Sequence, residues 1–123
     1  MNDASHQMYQ EMSDLIRQGQ AEDAVTRLRS WLESKPDDEV GLSLLGSALM
    51  RCKKFDDALE VFNLAAKSNP KSYGAHGDLA FALMQVGDTG PATQSFEKAV
   101  SLNPSFYQGW CFLGKLQYAN GEI

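Results

Sequence analysis

Apolar residues recur at steps of three and four along nearly the whole chain. Leu42, Leu45, Leu49 and Met50 share one helix face, and Ala58, Leu59, Phe62 and Ala65 trace a second. A short break at Cys52 to Phe55 parts the two stretches. The same alternation predicts helices near 5–18, 21–34, 39–52, 55–68, 73–86, 90–102 and 107–120. No window alternates apolar and polar positions strictly enough for a strand. Helix starts carry their own marks. Asp37, Asp38 and Glu39 place carboxylates at the positive end of one helix, and Asp56 and Asp57 do so for the next. Ser72 and Ser105 are N-cap candidates, and Gly90-Pro91 suits a helix whose first position is proline.

The helices repeat as pairs. Pro36, Pro70 and Pro104 stand 34 residues apart, and the same step links Ala24, Ala58 and Ala92. It links Leu28, Phe62 and Phe96, then Leu15, Leu49 and Leu83, then Leu45, Leu79 and Leu113. Small residues follow those last leucines, at Gly46, Ala80 and Gly114. Gly19, Gly87 and Gly121 share a further slot, in which Lys53 is the odd member. Each unit therefore reads as helix, tight turn, helix, closed by a proline that cannot continue the second helix. One such hairpin cannot bury its apolar face alone, so units must stack.

A 34-residue unit of this kind resembles the tetratricopeptide repeat, with its W-x2-L-G-x2-Y, A-x3-F and P pattern. The second unit offers Leu42-x2-Leu45-Gly46-x2-Leu49, then Ala58-x3-Phe62, then Pro70. The third offers His76-x2-Leu79-Ala80-x2-Leu83, Ala92-x3-Phe96 and Pro104. The fourth opens with Trp110-x2-Leu113-Gly114, with Gln117 in the aromatic slot and Tyr118 after it. The first is degenerate: Met8, Glu11 and Met12 replace the large–Leu–Gly triplet, while Ala24-x3-Leu28 and Pro36 hold. The resemblance implies an all-α, right-handed superhelical solenoid of antiparallel hairpins. Its repeats would lie at 5–38, 39–72 and 73–106, with the first helix of a fourth at 107–123. Small residues at Gly46, Ala80 and Gly114 would let paired helices approach closely. Glu11 fits a terminal repeat whose outer face meets water.

Composition narrows the function. Hydrophobic residues make up 43% and charged residues 22%, which suits a packed domain rather than a disordered chain. A net charge of −5 argues against a phosphate backbone as partner, since that binding needs clustered cations. No apolar run reaches the roughly 18 to 20 residues that span a bilayer. Met1 to Gln10 carries no cationic segment followed by an apolar one, so no signal peptide is read there. Cys52 and Cys111 form no CxxC and read as reduced thiols of a cytoplasmic protein.

Catalytic chemistry finds no constellation. His6 and His76 are the only histidines, and His76 occupies the large-residue slot of its repeat, as a packed structural residue would. No HExxH, CxxC or H-x3-H supplies metal ligands, and no glycine-rich phosphate loop is present. Gly87 to Pro91 reads as the turn within a repeat. The expectation is a protein without catalysis, cofactor or metal.

What the resemblance implies instead is a concave groove, lined by the first helix of each repeat, that takes a peptide or partner helix. Projected onto this chain, the groove candidates are Tyr9, Arg17, Leu44, Ser47, Met50, Arg51, Asp78, Phe81, Met84, Lys115 and Tyr118. Ile16 and Phe112 lie beside them, and Ser43, Ser47 and Gly77 leave room among them. Phe81, Met84, Met50 and Tyr118 are the apolar anchors, and Arg17, Arg51 and Lys115 suit acidic groups. Met50, Met84 and Phe81 have packing between repeats as their competing role. Relatives that grip the carboxylate of a chaperone tail use Lys, Asn, Asn, Lys and Arg. The matching slots hold Tyr9, Ser13, Leu44, Gly74 and Asp78, which cannot form that clamp. The expected partner is a protein or peptide, with neither nucleic acid nor membrane. A fragment of a longer protein, such as the region preceding a glycosyltransferase or sulfotransferase domain, is the alternative. A homo-oligomer through the exposed last helix is the third reading.

Overall fold

The computed structural model describes residues 3–119. The predicted end of the last helix at Asn120, and the turn slot at Gly121, lie outside the described residues. The elements run α1 (Asp3–Arg17), α2 (Ala21–Ser34), α3 (Glu39–Arg51), α4 (Phe55–Ser68), α5 (Tyr73–Gln85), α6 (Thr89–Leu102) and α7 (Tyr107–Ala119). All are α-helices, and no strand occurs among the described residues. The protein is an all-α helical repeat fold, as its periodicity predicts.

The turn within each hairpin follows one recipe. Gly19, Lys53 and Gly87 sit in the left-handed region, with φ of 82°, 63° and 86°. Just after them, the N–H groups of Gln20, Lys54 and Asp88 reach back to the carbonyls of Leu15, Leu49 and Leu83 at 2.8, 2.9 and 2.9 Å. That is the glycine-terminated helix end that satisfies otherwise orphaned carbonyls. The 34-residue recurrence of both the leucines and the glycine slot is this turn, written in sequence.

Three helix starts differ from expectation. Ser72 does cap α5, its hydroxyl accepting from the Ala75 N–H at 3.1 Å. Ser105 does not cap α7: its own N–H donates to Asn103 Oδ1 at 3.1 Å, and the helix begins two residues later. Pro91 is not the first residue of α6, which starts at Thr89. It sits third, where it still needs no intrahelical donor, and the first i→i−4 bond follows from Ala92 to the Asp88 carbonyl. Asp38 stands at the N-cap of α3 but makes no side-chain cap bond.

Residue contacts divide the chain into two compact units that meet inside α4, one up to Ala65 and one from Ala66. In the first, Met12, Ala24, Leu28, Leu42, Leu45, Leu49, Ala58 and Phe62 are buried. The ring of Phe62 lies directly over Gly46, where a Cβ would come within 2.3 Å of it. The degenerate first hairpin reaches the same packing differently. Met12 and Leu28 occupy the registers of Gly46 and Phe62, and both are fully buried. The volume moves from one helix to the other, and the core stays filled. Glu11 does not simply face water, for Arg27 pairs with it at 3.0 Å on the surface.

The second unit is built on Ala80, Ala92, Phe96, Val100, Leu113 and Leu116. Leu83, Met84, Phe106 and Phe112 pack against that cluster. The Phe106 ring fills space that side chains at Gly77 and Gly109 would need, 3.0 and 2.6 Å from their notional Cβ positions. Gly114 departs from its register mates. A Cβ there would meet nothing within 4 Å, because no described helix lies over it.

Candidate functional site

In the first unit, the candidate residues on α1 are already engaged. Tyr9 donates its hydroxyl to Asp38 Oδ2 at 2.5 Å, and the Trp31 indole N–H reaches the same oxygen at 2.7 Å. The Tyr9 and Trp31 rings meet edge to face with centroids 6.3 Å apart, and Lys35 Nζ lies 4.0 Å from the Trp31 centroid. Asp38 is thus turned from helix capping to binding two aromatic rings. Burial, and then the hydrogen bond and negative charge of Asp38, push the Tyr9 phenol up to about 12. Arg17 pairs with Asp14 one turn back on α1. Ile16 is buried in the core and does not line a groove.

On α3, Leu44, Ser47 and Met50 are half-buried, and Arg51 is exposed at the helix end. Among the described residues, none of the four forms a hydrogen bond, ion pair or ring contact with Tyr9 or Arg17.

In the second unit, the candidates on α5 and α7 do converge. Phe81 stays 41% exposed, yet its ring centroid lies 5.6 Å from that of Phe112. Phe112 in turn stacks on buried Phe96 at 5.5 Å, and the two rings are inclined by 22°. Lys115 Nζ approaches the Phe112 ring to 5.6 Å. It forms no ion pair among the described residues. Together these give an aromatic shelf, anchored in the core through Phe96, with an ammonium at its edge. Met84 belongs to the core packing, which favours its structural role. Asp78 is half-buried and engaged. Tyr118 is 75% exposed and, among the described residues, stacks on no other ring. Gly77 leaves no room, since Phe106 occupies its space.

Sequence reasoning placed Phe112 on the groove side but missed Trp31 and the role of the large-residue slot. His76 Nε2 donates to the Pro70 carbonyl, and Trp110 Nε1 to the Pro104 carbonyl, both at 2.9 Å. The two bonds stand 34 residues apart. The signal was present: a ring N–H donor six residues after each of two prolines. Cys52 is half-buried and Cys111 exposed. Among the described residues, no group of three His, Cys, Asp or Glu side chains could hold a metal. No described helix is long and apolar enough to cross a membrane.

Paired helices repeating every 34 residues, with a proline after each pair and a small residue under an aromatic ring, define a helical-hairpin repeat protein. The family model for the tetratricopeptide repeat matches residues 42–72 and 73–106, more than half of the sequence, and the chain belongs to that family. Among its relatives is the cytochrome c-type biogenesis protein CycH of Bradyrhizobium diazoefficiens, 30% identical over 107 residues. That match takes in 85% of this chain and 29% of CycH, so the chain spans under a third of that relative. The first TPR domain of human RPAP3 has the same fold, with a TM-score of 0.86 at 22% identity over 94% of this chain and 91% of that one. The first TPR of Spaghetti (RPAP3), bound to the HSP90 peptide SRMEEVD, gives 0.84 at 22% identity, over 93% and 90% of the two chains.

Proposed function

We propose that this chain is a non-catalytic protein-interaction module. The first helices of its repeats hold a peptide or a partner helix. The repeats run over 5–38, 39–72 and 73–106, and 107–123 opens a fourth. The observation that carries the reading is the shelf of Phe81 and Phe112 with Lys115 at its rim. Phe81 leaves ring surface in water beside half-buried Phe112, where an apolar side chain could cover it, and an ammonium without a carboxylate is a ready point for charge pairing. The shelf suits a segment that places a large apolar side chain beside an acidic one. Membership of a family with a peptide-bound member of the same fold supports it. Leu44, Ser47, Met50 and Arg51 on α3 would offer a second contact surface in the first unit.

The test compares capture of binding partners by wild type and by a Phe81→Ala/Lys115→Glu double variant, with helicity checked by circular dichroism. Loss of partners from a folded double variant is expected; equal recovery of every partner would refute the shelf.

A second reading, a regulatory or substrate-positioning region of a larger enzyme, draws support from the greater length of CycH. The gene's reading frame decides it. Continuation past Ile123 into a catalytic domain would favour it, and a stop codon would end it.

A further inference from the structure

The turn between α3 and α4 departs from its register mates toward positive charge. The same two slots hold Gly19-Gln20 in the first hairpin and Gly87-Asp88 in the third, but Lys53-Lys54 in the second. With Arg51, the last residue of α3, three cations fall within four positions. All three are exposed. Among the described residues none of them forms an ion pair, although Asp56 and Asp57 open α4 just beyond. Arg17 and Arg27, by contrast, each hold a carboxylate.

Both lysines stand where the fold gains nothing from their side chains. Lys53 takes a φ of 63°, a conformation strained for any residue with a Cβ, and its register mates there are glycines. Lys54 precedes α4, and the Ala58 N–H bonds its carbonyl at 3.0 Å, so it occupies the N-cap. An ammonium has no acceptor with which to cap, and it sits at the positive end of the helix dipole. Of the three cations only Arg51, at the negative end of α3, is favoured by its own helix. Two successive choices that oppose the local structure, both adding the same charge, point to a role outside the fold.

We propose that this turn binds an acidic segment of a partner protein. Arg51, Lys53 and Lys54 pair with its carboxylates, and Phe55, 37% exposed at the start of α4, takes an apolar residue set among them. The three cations lie within three peptide steps, at most about 11 Å between the outer Cα atoms, which suits two or three carboxylates close together. A nucleic acid or an anionic membrane fits less well. Each carries its charge far beyond a patch of this size, and the protein's net charge of −5 opposes it. A short segment stays within the ~8 Å over which exposed charges act at physiological salt. The inference rests on the reading of the chain as an interaction module, and not on the shelf of Phe81 and Phe112.

The test uses the full chain carrying Phe81→Ala and Lys115→Glu, so that the shelf supplies no signal. Its amide resonances are followed as a capped Glu-Glu-Phe-Glu-Glu peptide is added at low and at physiological salt. Shifts centred on residues 51–55 are expected, with affinity falling as salt rises. A Gln-Gln-Phe-Gln-Gln peptide should leave those resonances in place. Adding Lys53→Gly and Lys54→Asp copies the Gly-Asp of the third hairpin. That variant should weaken binding by about tenfold or more while unfolding at a higher temperature, a split that a purely structural role for the lysines does not produce. Shifts that fall elsewhere, no shifts at all, or equal binding by the Gly-Asp variant or by the neutral peptide overturn the proposal. So does tighter binding of a thymidine oligonucleotide or of phosphatidylserine vesicles than of the acidic peptide.

Discussion

The ring of Phe62 occupies the space that a side chain at Gly46 would need, with 2.3 Å between a notional Cβ and the nearest ring carbon. Phe62 is itself buried, so the ring cannot swing away cheaply. Gly46→Ala is therefore expected to destabilise the fold by about 1 to 3 kcal/mol, the usual cost of overpacking. The same substitution at Gly114, in the same register, is expected to stabilise by up to ~1 kcal/mol, because alanine is the better helix former and the slot is open. Thermal or urea unfolding of the two variants reads both signs.

Much of this packing was legible beforehand. Spacing alone marks Gly46 and Ala80 as close-approach positions, because hairpins of fixed length must return the same residue types to the same contacts. Gly114 carries the identical mark without the contact, since a register shows which side chains belong together and not whether the partner is there. Asp38 was unreadable for another reason. Its position before α3 advertises a cap, but its carboxylate is claimed by Tyr9, 29 residues away, and by Trp31. Long-range capture of a polar group leaves no local trace. Phe112 was legible as a groove-side position, but its stacking on Phe96 was not, because that depends on how α6 and α7 meet.

Lys53 adopts the left-handed conformation that glycine takes at positions 19 and 87. A side chain there costs about 1 to 2 kcal/mol, partly offset because glycine makes the unfolded chain more flexible. Lys53→Gly is thus expected to stabilise the fold by about 0.5 to 1 kcal/mol. Chemical denaturation, with an unchanged m-value, is the check; a destabilised variant would contradict the turn geometry.

Tyr9 offers a pH signature. Its pKa rises from 10.0 to about 12 because burial, and then Asp38, favour the neutral phenol. The folded state therefore holds this proton more tightly than the unfolded chain does. The associated stability is complete below pH 10 and is lost as the pH climbs through 12. The difference in phenolate absorbance between wild type and Tyr9→Phe should titrate near pH 12. Asp38→Ala should lower that midpoint without returning it fully, since burial is the larger cause. A Tyr9 midpoint at the ordinary value would contradict the contact.

The slots that would grip a chaperone-tail carboxylate hold Tyr9, Ser13, Leu44, Gly74 and Asp78. Tyr9 is committed to Asp38, and Asp78 carries the wrong sign. The peptide SRMEEVD, which the first TPR of Spaghetti binds, is therefore expected to give no heat on titration into this protein. Micromolar binding would show that these positions recognise carboxylates by other means.

The interaction surface itself is tested most directly by amide and aromatic-ring resonances on titration with peptides selected for binding from a random library. Shifts concentrated at Phe81, Phe112 and Lys115 are expected, from peptides that pair an acidic residue with a large apolar one, and they should vanish in Phe81→Ala/Lys115→Glu. Selected peptides whose shifts fall elsewhere, or that bind the double variant equally well, would contradict the account.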